Sequence, residues 1–121
     1  MRQPKRIPDF SNLVRDFFCD RLINQQNVSP HTVAAFRDTF RLLLAFLGGQ
    51  RRSASQVPTI EDLDAPTVLA FLDSLEAQRG NCVRTRNARL TAIRAFVTYA
   101  ASRDPTILPL TQRCLLYTSP S

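Results

Sequence analysis

Apolar residues recur three and four positions apart over most of the chain, and this spacing restricts the fold more than any other feature. Phe10, Leu13, Val14, Phe17, Phe18, Leu22 and Ile23 form one such stripe, predicting a first helix from about Ser11 to Gln25. Asp9 or Ser11 is placed to cap its start, and Asn27-Val28-Ser29-Pro30 breaks it. Ser29 is suited to accept hydrogen bonds from free backbone amides, and Pro30 suits a first helical position, so a second helix starts there. It carries Val33, Phe36, Phe40, Leu43, Leu44 and Leu47, with Gly48-Gly49 as the expected left-handed stop. Gln50 to Pro58 reads as a loop, and Thr59 to Leu63 as a single capped turn. Asp64-Ala65-Pro66 opens a third helix with Val68, Leu69, Phe71, Leu72 and Leu75 on its apolar face and Gly80 at its end. A fourth helix runs from Cys82 or Val83 to about Ser102, with Leu90, Ile93, Phe96, Val97 and Ala100 inward, and Asp104-Pro105 stops it. Only Thr106 to Leu110 offers any strand character, and it is too short to build a sheet. The expected fold is therefore all-α, a compact four-helix domain.

Charge is distributed unevenly along this frame. Fifteen of the 16 basic residues are arginine, and the total is +6. Met1 to Arg52 is basic, Ser53 to Gln78 contains no basic residue, and Arg79 to Ser121 is basic again with Asp104 as its one acid. Two basic segments around an acidic one point to a shared polyanionic partner, with the middle segment facing elsewhere. The same features exclude other chemistries. Three cysteines without CxxC spacing and a single histidine, His31, fit neither a disulfide framework nor a zinc site. They read as two small buried residues, Cys19 and Cys82, and a tail thiol, Cys114. No glycine-rich phosphate loop is present, and Glu61, Asp62 and Asp64 fall in a capping region, where acids serve the helix dipole. No metal, cofactor or small-molecule ligand is expected. The longest apolar run, Leu42 to Leu47, is too short to span a bilayer, and no secretory signal follows the basic N-terminus. The expectation is a cytoplasmic protein without a membrane partner.

The fourth helix carries the most informative group. Its apolar face turns into Arg86 and Arg89 towards the N-terminus, as if the first two turns projected past the core. Arg84, Thr85 and Asn87 fill out that end, with Arg94 one turn further on. Guanidinium forks, a hydroxyl and an amide at a helix N-terminus are suited to phosphates and base edges. The second helix repeats the theme: Ser29, His31 and Thr32 lie at its start, and Arg37 and Arg41 lie one turn apart beside its apolar stripe. These eleven residues are the candidate DNA-binding set. The competing reading of the same bundle is a protein–protein interaction module, which has no need for Arg84, Arg86, Arg89 and Arg94 within three turns.

Three ordered blocks resemble the N-terminal core-binding domain of tyrosine recombinases, the phage-integrase class. Ser29, Pro30, Thr32 and Phe36 match a Ser-Pro-x-Thr helix start with an aromatic four residues beyond the Thr. Val68, Phe71 and Leu72 match a Leu-x-x-Phe-Leu helix. Thr85, Leu90, Thr91, Ala92, Arg94, Phe96 and Tyr99 match the block that follows. The resemblance covers roughly Asp9 to Asp104. It implies a SAM-like helical domain forming half of a clamp around double-stranded DNA, with the second and fourth helices against the major groove. It also implies other recombinase protomers on the same DNA. In the family a separate C-terminal domain holds the catalytic arginines, lysine, histidines and nucleophilic tyrosine, which forms a 3′-phosphotyrosyl link. No such domain is expected here, and neither Tyr99 nor Tyr117 reads as the nucleophile. The expected organisation is a basic tail over residues 1–8, the helical DNA-binding domain over 9–104, and a linker start and tail over 105–121. The last eight residues, CLLYTSPS, do not continue the family pattern and read as the product of a truncated or chimeric frame.

Overall fold

A computed structural model describes residues 10–23, 29–49, 60–80 and 82–118, and the described residues form helices joined by short turns. The basic segment 1–8, the expected end of the first helix at Gln25, the break at Asn27-Val28, the loop from Gln50 to Pro58 and residues 119–121 lie outside the described residues.

The first helix, α1, spans Phe10–Asp16 and continues without interruption as a π-helical segment, Phe17–Ile23. The sequence spacing predicts an ordinary α-helix throughout. The wider π turn instead keeps Phe17 and Leu22, five positions apart, both buried. It also delivers Asp20 to the hydroxyl of Tyr99, which donates to Asp20 Oδ2 at 3.1 Å.

Helix α2 spans Pro30–Gly49. Ser29 Oγ accepts from the amide of Thr32 at 3.2 Å, the N-terminal cap expected from the sequence. Gly48 and Gly49 do not provide the expected left-handed stop: both lie inside α2, and Gly80 is the described glycine with a positive φ. A 3-10 turn, Ile60–Asp62, precedes α3, Ala65–Arg79. Asp64 caps α3 by accepting from the amide of Thr67 at 2.9 Å, and Gly80 closes it at φ 63° with its N–H on Glu76 O. Helix α4 spans Val83–Arg103.

The core is aromatic where α1, α2 and α4 meet. The Phe96 ring, fully buried, lies 5.2 Å from Phe10, 5.7 Å from Phe17 and 5.2 Å from Phe40, centroid to centroid. Phe46 of α2 and Phe71 of α3 extend this core at 5.6 Å. Every expected inward residue of α4, from Leu90 to Ala100, is buried.

The helical packing continues past Asp104. A 3-10 turn, Pro105–Ile107, leads into α5, Leu108–Tyr117, in the stretch read as a linker start and tail. Ile107, Thr111 and Cys114 are buried and fall at helical spacing, which accounts for the ordering. Arg94 fastens α5 to α4 by donating to Leu115 O at 2.6 Å.

All three cysteine assignments are corrected. Cys19 and Cys82 are exposed and Cys114 is buried, the reverse of the sequence expectation. Cys19 lies on the outer side of the π segment and Cys82 precedes α4, whereas Cys114 joins the inward stripe of α5.

Candidate nucleic-acid interface

The N-terminal halves of α2 and α4 border an open groove of about 560 Å³. From α2 it takes His31, Thr32, Ala35 and Phe36, then Asp38 and Thr39 one turn on. From α4 it takes Arg84 and Thr85, then Ala88, Arg89 and Thr91. The small side chains of Ala35 and Ala88 leave the groove open between the polar residues above and below them. Both helices present their first turns here, so the positive ends of two helix dipoles fall at one site.

Five of the eleven expected residues therefore come together: His31, Thr32, Arg84, Thr85 and Arg89. Arg84 is exposed and makes no ion pair with any described residue. The other six are placed differently. Ser29 is committed to capping α2. Arg37 and Arg41 line a separate pocket with Arg15 and Phe18, although Arg41 reaches back to Asp38 at the groove's edge. Asn87 is half-buried and does not line the groove. Arg94 is held by α5. Arg86 points at α3, where its Nη1 lies 2.9 Å from Asp73 Oδ1 and 3.1 Å from Glu76 Oε1.

Arg86 and Arg89 correct the picture of a helix end projecting past the core. Their side chains are only 18% and 14% exposed. Acidic residues on neighbouring helices draw them in. Arg89 Nη1 reaches Asp38 Oδ2 and Thr39 Oγ1, each at 3.4 Å, and ties α4 to α2. Its Nε is buried with no hydrogen-bond partner among the described residues.

Asp38 is the one carboxylate among the residues lining the groove, and the sequence reading passed over it. Its Oδ1 accepts from Arg41 Nη2 at 2.6 Å. That hydrogen bond, helped by the charges of Arg89 and Arg41, holds the carboxyl below its usual range against the opposing effect of burial. Asp38 therefore stays ionised throughout the neutral range. Ala35, Ala88 and Thr91 were also missed. The signal was available: 31, 35 and 38, and 84, 88 and 91, are the helical repeats of His31 and Arg84.

Beside the groove, Cys82 Sγ lies 3.5 Å from Thr85 Oγ1, and that hydrogen bond, with the first-turn amides, lowers the thiol pKa. Tyr99 lies in the core instead. Arginines do surround it, since Arg103 Nη1 donates to its hydroxyl at 2.6 Å and Arg21 lies 5.5 Å from the ring centroid. Its side chain is nonetheless buried, burial raises its pKa, and its hydroxyl is committed as donor to Asp20 Oδ2. It is a cross-link between α4 and the π segment, without access to a phosphate. Among the described residues no group of three His, Cys, Asp or Glu could hold a metal ion. No helix among them is long and apolar enough to cross a membrane.

Comparison with known proteins agrees with this architecture. The family model "Phage integrase, N-terminal SAM-like domain" matches residues 16–104. Two Sinorhizobium fredii (strain NBRC 101917 / NGR234) proteins named as integrase/recombinase, y4rC and y4rD, are 46% and 42% identical over 103 residues. Those matches cover 85% of this chain but 31% and 37% of the relatives, so the chain spans about a third of their length. Tyrosine recombinase XerC of Pseudomonas syringae pv. syringae (strain B728a) is 31% identical over 84 residues, 69% of this chain and 26% of that protein. No solved structure matches significantly. With its all-α bundle and a family match running from Asp16 to Asp104, the chain belongs to the phage-integrase N-terminal SAM-like domain family, the helical N-terminal part of integrases and tyrosine recombinases.

Proposed function

We propose that this chain is a duplex-DNA-binding domain acting in site-specific recombination, and that it grips DNA through the groove between α2 and α4. The observation that carries this reading is the convergence of His31, Thr32, Arg84, Thr85 and Arg89, from segments about fifty residues apart in sequence, on one open groove. Donors of this kind hold phosphates and reach base edges, while two helix N-termini add a favourable field for an anion. Arg37 and Arg41, in the separate pocket, extend the basic surface towards neighbouring phosphates. The residues 9–104 form the binding unit. The chain alone is not an enzyme; strand cleavage and rejoining belong to the further portion that its longer relatives possess. Its partners are double-stranded DNA and, on that DNA, other recombinase protomers.

A salt series tests the reading. If about five phosphates are neutralised, the logarithm of the association constant for random duplex DNA falls against the logarithm of salt concentration with a slope of about −4 to −5. A slope near zero overturns it.

A further inference from the structure

A carboxylate in a groove that receives phosphates weakens binding unless it has a task. Asp38 sits between two guanidinium groups carried by different helices: Arg41 at 2.6 Å and Arg89 at 3.4 Å. It is 41% exposed, so it faces whatever enters the groove. It is also the acid that bridges α2 to α4, the two helices that border the site. Both arginines direct Nη donors at Asp38, and those donors are the ones a phosphate oxygen would need. The arrangement thus has two cations and one internal competitor for them.

We propose that Asp38 is a specificity-determining residue of the duplex interface: it occupies Arg41 and Arg89 when no fitted ligand is present and so holds down affinity for random DNA. This rests on the duplex-binding reading above. A randomly placed phosphate must displace a carboxylate already in contact with both arginines. A duplex seated in the right register replaces both ion pairs at once. Repulsion built into a binding site against the wrong partner is a general route to discrimination. Asp38 acts through Arg41 and Arg89, as a positioning residue with respect to DNA.

The test compares the full chain with Asp38→Asn, which keeps shape and an acceptor oxygen but removes the charge. Random-duplex binding is measured from low to high salt. Releasing the arginines to one more phosphate steepens the slope by about 0.9, which corresponds to about eightfold tighter binding at 0.1 M salt. Asp38→Glu restores the charge and moves the slope back towards the unsubstituted value. Asp16→Asn is the charge-matched control. Asp16 pairs with Arg103, fourteen residues along α4 from Arg89 and so about 21 Å away along the axis. It leaves the slope unchanged. If Asp38 only fastens α2 to α4, Asp38→Asn lowers the melting temperature and weakens binding, and the proposal is overturned. It is equally overturned if slope and affinity do not change.

A second measurement needs no substitution, and so covers the case in which Asp38→Asn does not fold. Adding random duplex to the isotopically labelled chain leaves the Asp38 carboxylate carbon resonance in place, because Arg41 and Arg89 stay on the carboxylate. A resonance that shifts as random DNA binds, both arginines having turned to phosphate, overturns the proposal. Absence of any DNA binding by the unsubstituted chain overturns the duplex reading itself, so the two failures are distinct.

Discussion

Arg84, Arg86 and Arg89 fall within two turns of α4, yet their surroundings give them different tasks. Arg84 is exposed, without an ion pair to a described residue, so its replacement removes a phosphate donor and little else. Arg84→Ala is expected to reduce the salt slope of duplex binding by about 1 while shifting stability by no more than about 0.5 kcal/mol. Arg89 is tied to Asp38 and Thr39, so Arg89→Ala is expected to weaken binding and loosen the α2–α4 contact together. Arg86→Ala breaks a bridge to the well-exposed Asp73 and the half-exposed Glu76, an effect of about 1 kcal/mol or less, with little change in binding. The reference is Phe96→Ala, which empties the centre of the aromatic core and should cost about 3–5 kcal/mol. Urea denaturation and fluorescence anisotropy of each variant separate the two readouts. Equal stability losses for Arg84→Ala and Phe96→Ala would show that the assigned faces of α4 are wrong.

At the scale of elements, what the sequence made legible was what is local. The caps of α3 are examples: Asp64 to Thr67 and Glu76 to Gly80 are each contained within a few residues. Gly80→Ala is expected to cost about 1–2 kcal/mol, all of it backbone strain, because φ is 63° and an added Cβ would meet nothing within 4 Å. Asp64→Ala should cost about 1 kcal/mol through the lost cap. Thermal melts of both variants measure this, and a Gly80→Ala chain as stable as the parent would contradict the left-handed cap. What escaped the sequence depends on partners far along the chain. The π segment places Asp20 against Tyr99, 79 positions later. The inward turn of Arg89 depends on Asp38, 51 positions earlier. No window of helical periodicity contains such pairs. The same holds for Cys19 and Cys114, whose burial depends on which side of a helix the neighbours cover. For the groove, the residue types at both helix starts were readable. That Arg86 and Arg94 leave it was not, because they are drawn to acids and a carbonyl brought near only by folding.

For the whole molecule, binding and catalysis are separable. Phosphoryl transfer to tyrosine needs fixed positive groups around the phosphate oxygens and an acid for the leaving oxygen. Tyr99 is buried with its hydroxyl donating to Asp20, and Tyr117 is exposed on α5 and is not among the residues lining the groove between α2 and α4. Supercoiled plasmid incubated with the chain is expected to stay supercoiled, with no covalent protein–DNA species on a denaturing gel. An adduct abolished by Tyr117→Phe would contradict this. The central claim is where the duplex lies. It is tested most directly by titrating the ¹⁵N-labelled chain with a short random duplex at low salt and mapping amide shifts. The account predicts the largest shifts at His31, Thr32, Ala35, Thr85 and Ala88, with small ones along α3 and α5. Shifts concentrated on α3 and α5, with the α2–α4 groove unmoved, would contradict it.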